Sequence, residues 1–132
     1  MANYNYGIDL PFTASGDMNA NQYKFVRGAS TAGRIQLANG ASGPMPIGVL
    51  QNDPRNLEGA QVRVLGSTKV WFSGSAAVGN NDFLSSGSAG HAELTSGSRA
   101  AQGYSVEDVA AGCAYINMIL FPVTTDITDQ TP

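Results

Sequence analysis

An all-β fold is the class this sequence predicts, and three observations predict it. The helical period is nearly absent along the chain. Sixteen glycines recur at short intervals, the spacing of turns between short strands, because glycine reaches the positive φ angles that turns need. Residues 60–73 alternate cleanly: Val62, Val64, Val70 and Phe72 share one parity, while Gln61, Arg63, Lys69 and Trp71 share the other. That alternation is the signature of a strand with one core face and one more polar face. A chain of 132 residues suffices for one domain around its own core.

The first segment, residues 1–20, is rich in Asn, Tyr and Ala with little periodicity. It is expected to be an extended N-terminal arm carrying a short strand near Ile8–Phe12. The β-domain is expected to span residues 21–122, beginning with strands at Gln22–Arg27, Arg34–Leu37 and Pro46–Gln51, the last two separated by the loop Ala38–Met45. The long strand over 60–73 is expected to bend or bulge at Gly66. Asp82–Ser85 and His91–Thr95 form a short hairpin around Ser86–Gly90. Arg99–Val106 then leads into a single helical turn at Val106–Ala111. The last strand, Cys113–Phe121, is apolar at Ala114, Ile116, Met118 and Leu120 and mostly apolar at the odd positions too. Such a strand is either central between two layers or turns one face to a partner subunit. Residues 123–132 form a polar C-terminal tail. A weak echo also runs through the chain. Gly48–Asp53 leading to Gly59 and Val62/Val64 resembles Gly103–Asp108 leading to Gly112 and Ile116/Met118.

Charge excludes several functions. Charged residues make up 13% of the chain and the net charge is −3, so binding to nucleic acid by counterion release is excluded. The longest apolar run, near Ile119–Phe121, is far short of a membrane-spanning helix. The opening MANYNYGIDL has neither a cationic stretch nor an apolar one after it, so the expectation is synthesis without a secretory signal. A sparsely charged surface rich in small residues suits contact with other protein.

Chemistry is hard to place. His91 is the lone histidine, next to a turn glycine, and reads as a solvated turn residue; no G-x-S-x-G elbow accompanies it. Cys113 is the lone cysteine, which rules out an intrachain disulfide and leaves no zinc ligand set. Asn80-Asn81-Asp82 has suitable oxygens for a cation but reads as an Asx-rich turn. Neither G-x-G-x-x-G nor a P-loop occurs. The expectation is no enzyme, no catalytic or metal-binding residues and no cofactor. Trp71 lies on the face of Lys69 and Arg63, where it either closes the core edge or anchors an interface. Tyr4 and Tyr6 alternate with Asn3 and Asn5, a pattern suited to strand addition on a neighbouring sheet. The candidate interface residues are therefore Tyr4, Tyr6, Ile8, Leu10, Phe12, Trp71 and Tyr115.

From residue 46 onward the succession PIGVLQNDPRNLEGAQVRVLGSTKVWFSGSAAVGNNDFLSSGSAGHAEL, followed by AAQGYSVEDVAAGCAYINMILFP, resembles the small decoration (cement) proteins of tailed-phage capsids. The likeness lies in the order of a Gly-Val strand, a Val-x-Val strand, the GSAAVGNNDFL turn, the GHAEL return and the closing strand. It implies a compact β-barrel-like or tulip-like domain of short antiparallel strands. It further implies a homotrimer at local threefold sites of the expanded capsid, where it clamps the major capsid protein against genome pressure. The alternatives are a head-fibre base or tail component on a similar β-domain, or a carbohydrate-binding β-module with Trp71 as its platform.

Overall fold

The computed structural model describes residues 6–39, 45–72, 77–95, 101–111 and 115–121. Among them run nine strands: β1 (Gly7–Ala14), β2 (Phe25–Gly28), β3 (Arg34–Leu37), β4 (Gly48–Leu50), β5 (Gly59–Trp71), β6 (Phe83–Ser86), β7 (Ala92–Leu94), β8 (Gly103–Ser105) and β9 (Tyr115–Leu120). A 3₁₀ turn at Ser88–Gly90 separates β6 from β7. The fold is all-β, as the sequence predicts.

The strands form one mixed sheet in the order β1-β3-β2-β4-β5-β9-β8-β6-β7. β1 also pairs with β5, so the first five strands close on themselves. The β1–β3 pair is parallel and the other strand pairs are antiparallel. On the other side of β5, a parallel bridge from Phe72 to Ala92 brings the strand back against β7. The sheet is thus ring-like in two places without being a regular barrel.

β5 is long because it serves both halves. Its first half pairs with β1 and β4, and its second half with β9. The handover falls at Gly66, which pairs with Gly7 on one edge and Leu120 on the other. Its φ of +105° is a left-handed conformation, and a side chain there would meet the Tyr6 carbonyl and the Gly7 Cα. The expected bend at this glycine is therefore fixed by both conformation and space.

Two apolar clusters follow from the alternation. Ala14, Met18, Val26, Ile35, Leu50, Ala60 and Val62 fill the first ring. Val70, Phe72, Val78, Leu84, Ile116, Met118 and Leu120 fill the second, larger cluster. The even parity of β5 supplies both, as its pattern predicts. β2 and β4 form the wall between them: Phe25 and Val49 enter the larger cluster, Val26 and Leu50 the smaller. β4 is consequently buried along its whole length.

The structure refines two expectations and overturns a third. β9 is not covered on both faces: Ile116, Met118 and Leu120 are buried, but Tyr115, Asn117 and Ile119 are exposed or half-buried. The strand sealed on both faces is β4, too short to display a period. Residues 106–111 do not form a helical turn. Val78 and Val109 instead exchange backbone hydrogen bonds of 2.8 Å in both directions, so a long-range pairing takes the amides a local turn would have used. The short strand expected near Ile8–Phe12 is present and longer, Gly7–Ala14, as the sheet's first strand; its last residue, Ala14, and Met18 beyond it are buried. The register shift between Ile8 and Asp9 interrupts the alternation, which is why the sequence shows little period there.

The echo has a structural counterpart. β4–β5 and β8–β9 are both antiparallel neighbours consecutive in the chain. Gly48 and Gly103 open the leading strands, and a side chain on either would collide with a carbonyl across the ladder, that of Arg63 and that of Ile119 respectively.

Candidate docking surface

The expected interface residues separate into two groups. Trp71 and Tyr115 face each other across the β5–β9 ladder, with ring centroids 4.5 Å apart. Tyr23, from the turn before β2, meets Tyr115 edge to face at 6.2 Å. His91 stacks on Trp71 at 5.9 Å and an interplanar angle of 16°. Two lysines complete the patch: Lys24 Nζ lies 5.6 Å from the Trp71 ring centre, and Lys69 Nζ lies 4.6 Å from Tyr23 and 4.8 Å from Tyr115. Each contact is in the range where a cation is attracted by a ring face.

Local backbone bonds fix this patch. The Trp71 amide donates to the Tyr23 carbonyl at 2.8 Å, and the indole Nε1–H donates to the Gln22 carbonyl at 3.1 Å. Tyr23 is held at a φ of +67°, an uncommon conformation that turns the chain out of the loop and into β2. His91 is therefore not a solvated turn residue. It is half-buried, and burial, followed by the nearby Lys24 charge, holds its pKa below 6.5.

The second group lies along β1. Tyr6, Ile8 and Leu10 are all exposed, at 73%, 56% and 44%, while Phe12 packs against the smaller core. The Tyr6 amide and carbonyl are tied to Ser67. Thr13 donates outward to Gly33 and Ala14 inward to Glu58, so alternate residues address alternate edges. Pro11 shares the parity of Thr13 and has no N–H to present on the outer edge, the usual blunting of an edge strand. Beneath this strand the carboxylate of Asp9 takes two bonds from Arg63, at 2.7 and 3.2 Å, and Arg63 also donates to the Ser67 carbonyl. Tyr4 lies outside the described residues, as do Cys113 and the tail 123–132.

Roughly 16 Å of β5 separates Gly66, where β1 ends its pairing, from Trp71. The two groups are thus neighbouring patches and not one site. A third patch went unread in the sequence. Phe83, Tyr104 and Phe121 are in ring contact on the outer face of β6, β8 and the end of β9, with Phe83 51% exposed. The sequence joins Lys69 to Trp71 by parity, but Lys24 and His91 reach Trp71 through a strand register that one strand's pattern does not encode. The parity of Lys69 and Trp71 was the signal that existed.

Among the described residues no three His, Cys, Asp or Glu side chains converge as for a metal. Asp82 Oδ2 accepts from the Gly79 amide three residues earlier and Asp108 Oδ1 accepts from the Asn80 amide across the fold, so both carboxylates bond backbone amides of this turn. No described helix is long and apolar enough to cross a membrane.

Comparison with protein-family models gives no match, and comparison with curated proteins gives none either. Among solved structures, the chain is similar to the N base of head fibre gp8.5 of bacteriophage phi29. The TM-score is 0.63 with 19% sequence identity, over 86% of this chain and 93% of that one. The likeness is one of fold, and it extends over nearly the whole of both chains.

Proposed function

We propose that this chain is a structural domain of a phage particle, seated on the capsid surface as the base of a head fibre. The observation that carries this reading is the fold shared with the phi29 head-fibre base over almost its full length. Its physical work is adhesion without turnover. A domain that binds the assembled shell and not its loose subunits stabilises the shell through linkage, by about RT ln(1 + [L]/Kd) per site. The aromatic patch around Trp71 supports an adhesive role, since Trp and Tyr held on a rigid sheet lose little entropy on docking. In this reading the partners are the major capsid protein and further copies of the chain, in a homotrimer suited to a local threefold site. The decoration role inferred from the sequence resemblance places the same domain on the same surface without a shaft above it.

The test is co-sedimentation of the purified protein with expanded capsids that lack it. Saturable pelleting is expected; a protein left in the supernatant at concentrations on the order of 10 μM removes the reading. Cryo-electron microscopy of the native particle separates the two roles. A shaft rising from the domain marks a fibre base, and a low cap marks decoration. Sedimentation equilibrium is expected to give a trimer, and a strict monomer both free and on the shell overturns that part.

A further inference from the structure

The Trp71 patch has a charge that the composition conceals. The chain is net negative, yet two of its seven Lys and Arg side chains sit together over three aromatic rings. Among the described residues, neither ammonium has a carboxylate within ion-pair distance; the carboxylate partner of Arg63, Asp9, lies elsewhere. Lys24 gives one donor to the Asn21 side-chain oxygen at 3.2 Å. The acid nearest by register, Glu107, is engaged through Oε2 by the amide and the side chain of Asn117, opposite Lys69. Ring faces hold these cations but do not neutralise them.

We propose that this patch docks an acidic face of a protein partner, with Asp or Glu carboxylates seated on Lys24 and Lys69 and the apolar parts of the same segment lying over Trp71 and Tyr115. Charge complementarity selects the occupant. A free lysine loses several rotatable bonds when it forms an ion pair, but these two are already held over ring faces, so the ordering cost is largely met in the free protein. The half-buried Trp71 and Tyr23 rings also displace water from one side of each ammonium, which strengthens attraction to an incoming carboxylate. The depressed pKa of His91, to which Lys24 contributes, agrees with a positive potential at this spot. Identifying the partner as the capsid's outer surface rests on the docking reading given under Proposed function.

The experiment has two arms, so that the two readings fail separately. In the first, wild type, K24Q/K69Q and R34Q/R55Q are co-sedimented with undecorated capsids. Both double variants remove two positive charges, but only the first touches the patch. Expected is a loss of about tenfold or more in affinity for K24Q/K69Q, with the control within about twofold of wild type. Raising salt from about 0.05 to about 0.5 M is expected to weaken wild type far more than K24Q/K69Q. Equal binding by wild type and K24Q/K69Q overturns the acidic-face proposal and leaves capsid docking standing.

The second arm needs no capsid. Trp71 is the sole tryptophan, so its emission reports on this patch directly. A capped ten-residue glutamate peptide is expected to change that emission in wild type but not in K24Q/K69Q, and a lysine peptide is expected to have no effect. A silent wild type at millimolar glutamate peptide overturns the proposal. A lysine-dependent response to oligogalacturonate without one to the glutamate peptide also overturns it, in favour of an acidic glycan.

Discussion

Ile116 and Ile119 are three residues apart on one strand and do different work. Ile116 is fully buried in the larger cluster, while Ile119 faces outward, half-exposed. Ile116→Ala removes contacts on all sides and is expected to cost about 2–5 kcal/mol. Ile119→Ala is expected to cost about 1 kcal/mol or less. Urea denaturation of the two variants checks this, and equal losses would contradict the assigned faces. His91 offers a second residue-scale test, because it is the only imidazole and gives one proton NMR titration. Its folded pKa is depressed by burial and then by Lys24, so it is expected to titrate below 6.5 and to move up in Lys24→Gln. The sign for stability follows by linkage. Between the folded pKa and 6.5 the unfolded chain binds more protons than the native one, so this residue lowers stability as pH falls from 6.5 toward the folded pKa and adds nothing further below it. His91→Asn is expected to flatten that part of the stability–pH curve.

Among the elements, β1 departs most from its appearance in the sequence. It pairs with β5 from Gly7 to Thr13 and with β3 through Thr13 and Ala14, closing the ring around the smaller core. Deleting residues 1–16 is therefore expected to abolish cooperative folding, read as loss of the urea transition by circular dichroism. A retained sharp transition would return this segment to the role of a dispensable arm. Little of this was legible. A bulge, a proline and the exposed Ile8 and Leu10 in one strand leave no clean period, and the pairing that stabilises it lies some fifty residues away, Leu10 against Val62. β5 is the opposite case. Thirteen residues long, it shows its parity openly, and the structure keeps that parity through the Gly66 bend. The hairpin of β6 and β7 was also legible, since its turn lies within a few residues. Over residues 106–111, helix-friendly composition is a weak preference that the long-range pair of backbone bonds between Val78 and Val109 overrides.

For the molecule as a whole, the shared walls matter most. β5 contributes to both clusters, and β2 and β4 separate them with side chains on each side. Neither half can lose its strands without exposing the core of the other, so the domain is expected to unfold in one step. Trp71 emission follows the larger half, and amide exchange at Val26 and Ile35 follows the smaller. Coincident urea midpoints are expected, and separated midpoints would show that the halves are independent. Rigidity of this kind suits a domain whose proposed work is to hold a position on a larger surface, because little order remains to be imposed on docking.

By itself the sequence determined the class of fold, the faces of β5, the bend at Gly66 and the presence of Trp71 and Lys69 on one outward parity. These are local properties: strand period, turn chemistry and the conformational demands of glycine act over a few residues. Only the tertiary structure decided that β1 closes a ring, that β4 is the strand sealed on both faces, and that Tyr23, Lys24, Lys69, Trp71, His91 and Tyr115 form one charged aromatic patch. Those facts depend on which strands pair and in what register, a choice made by long-range packing that no single segment records.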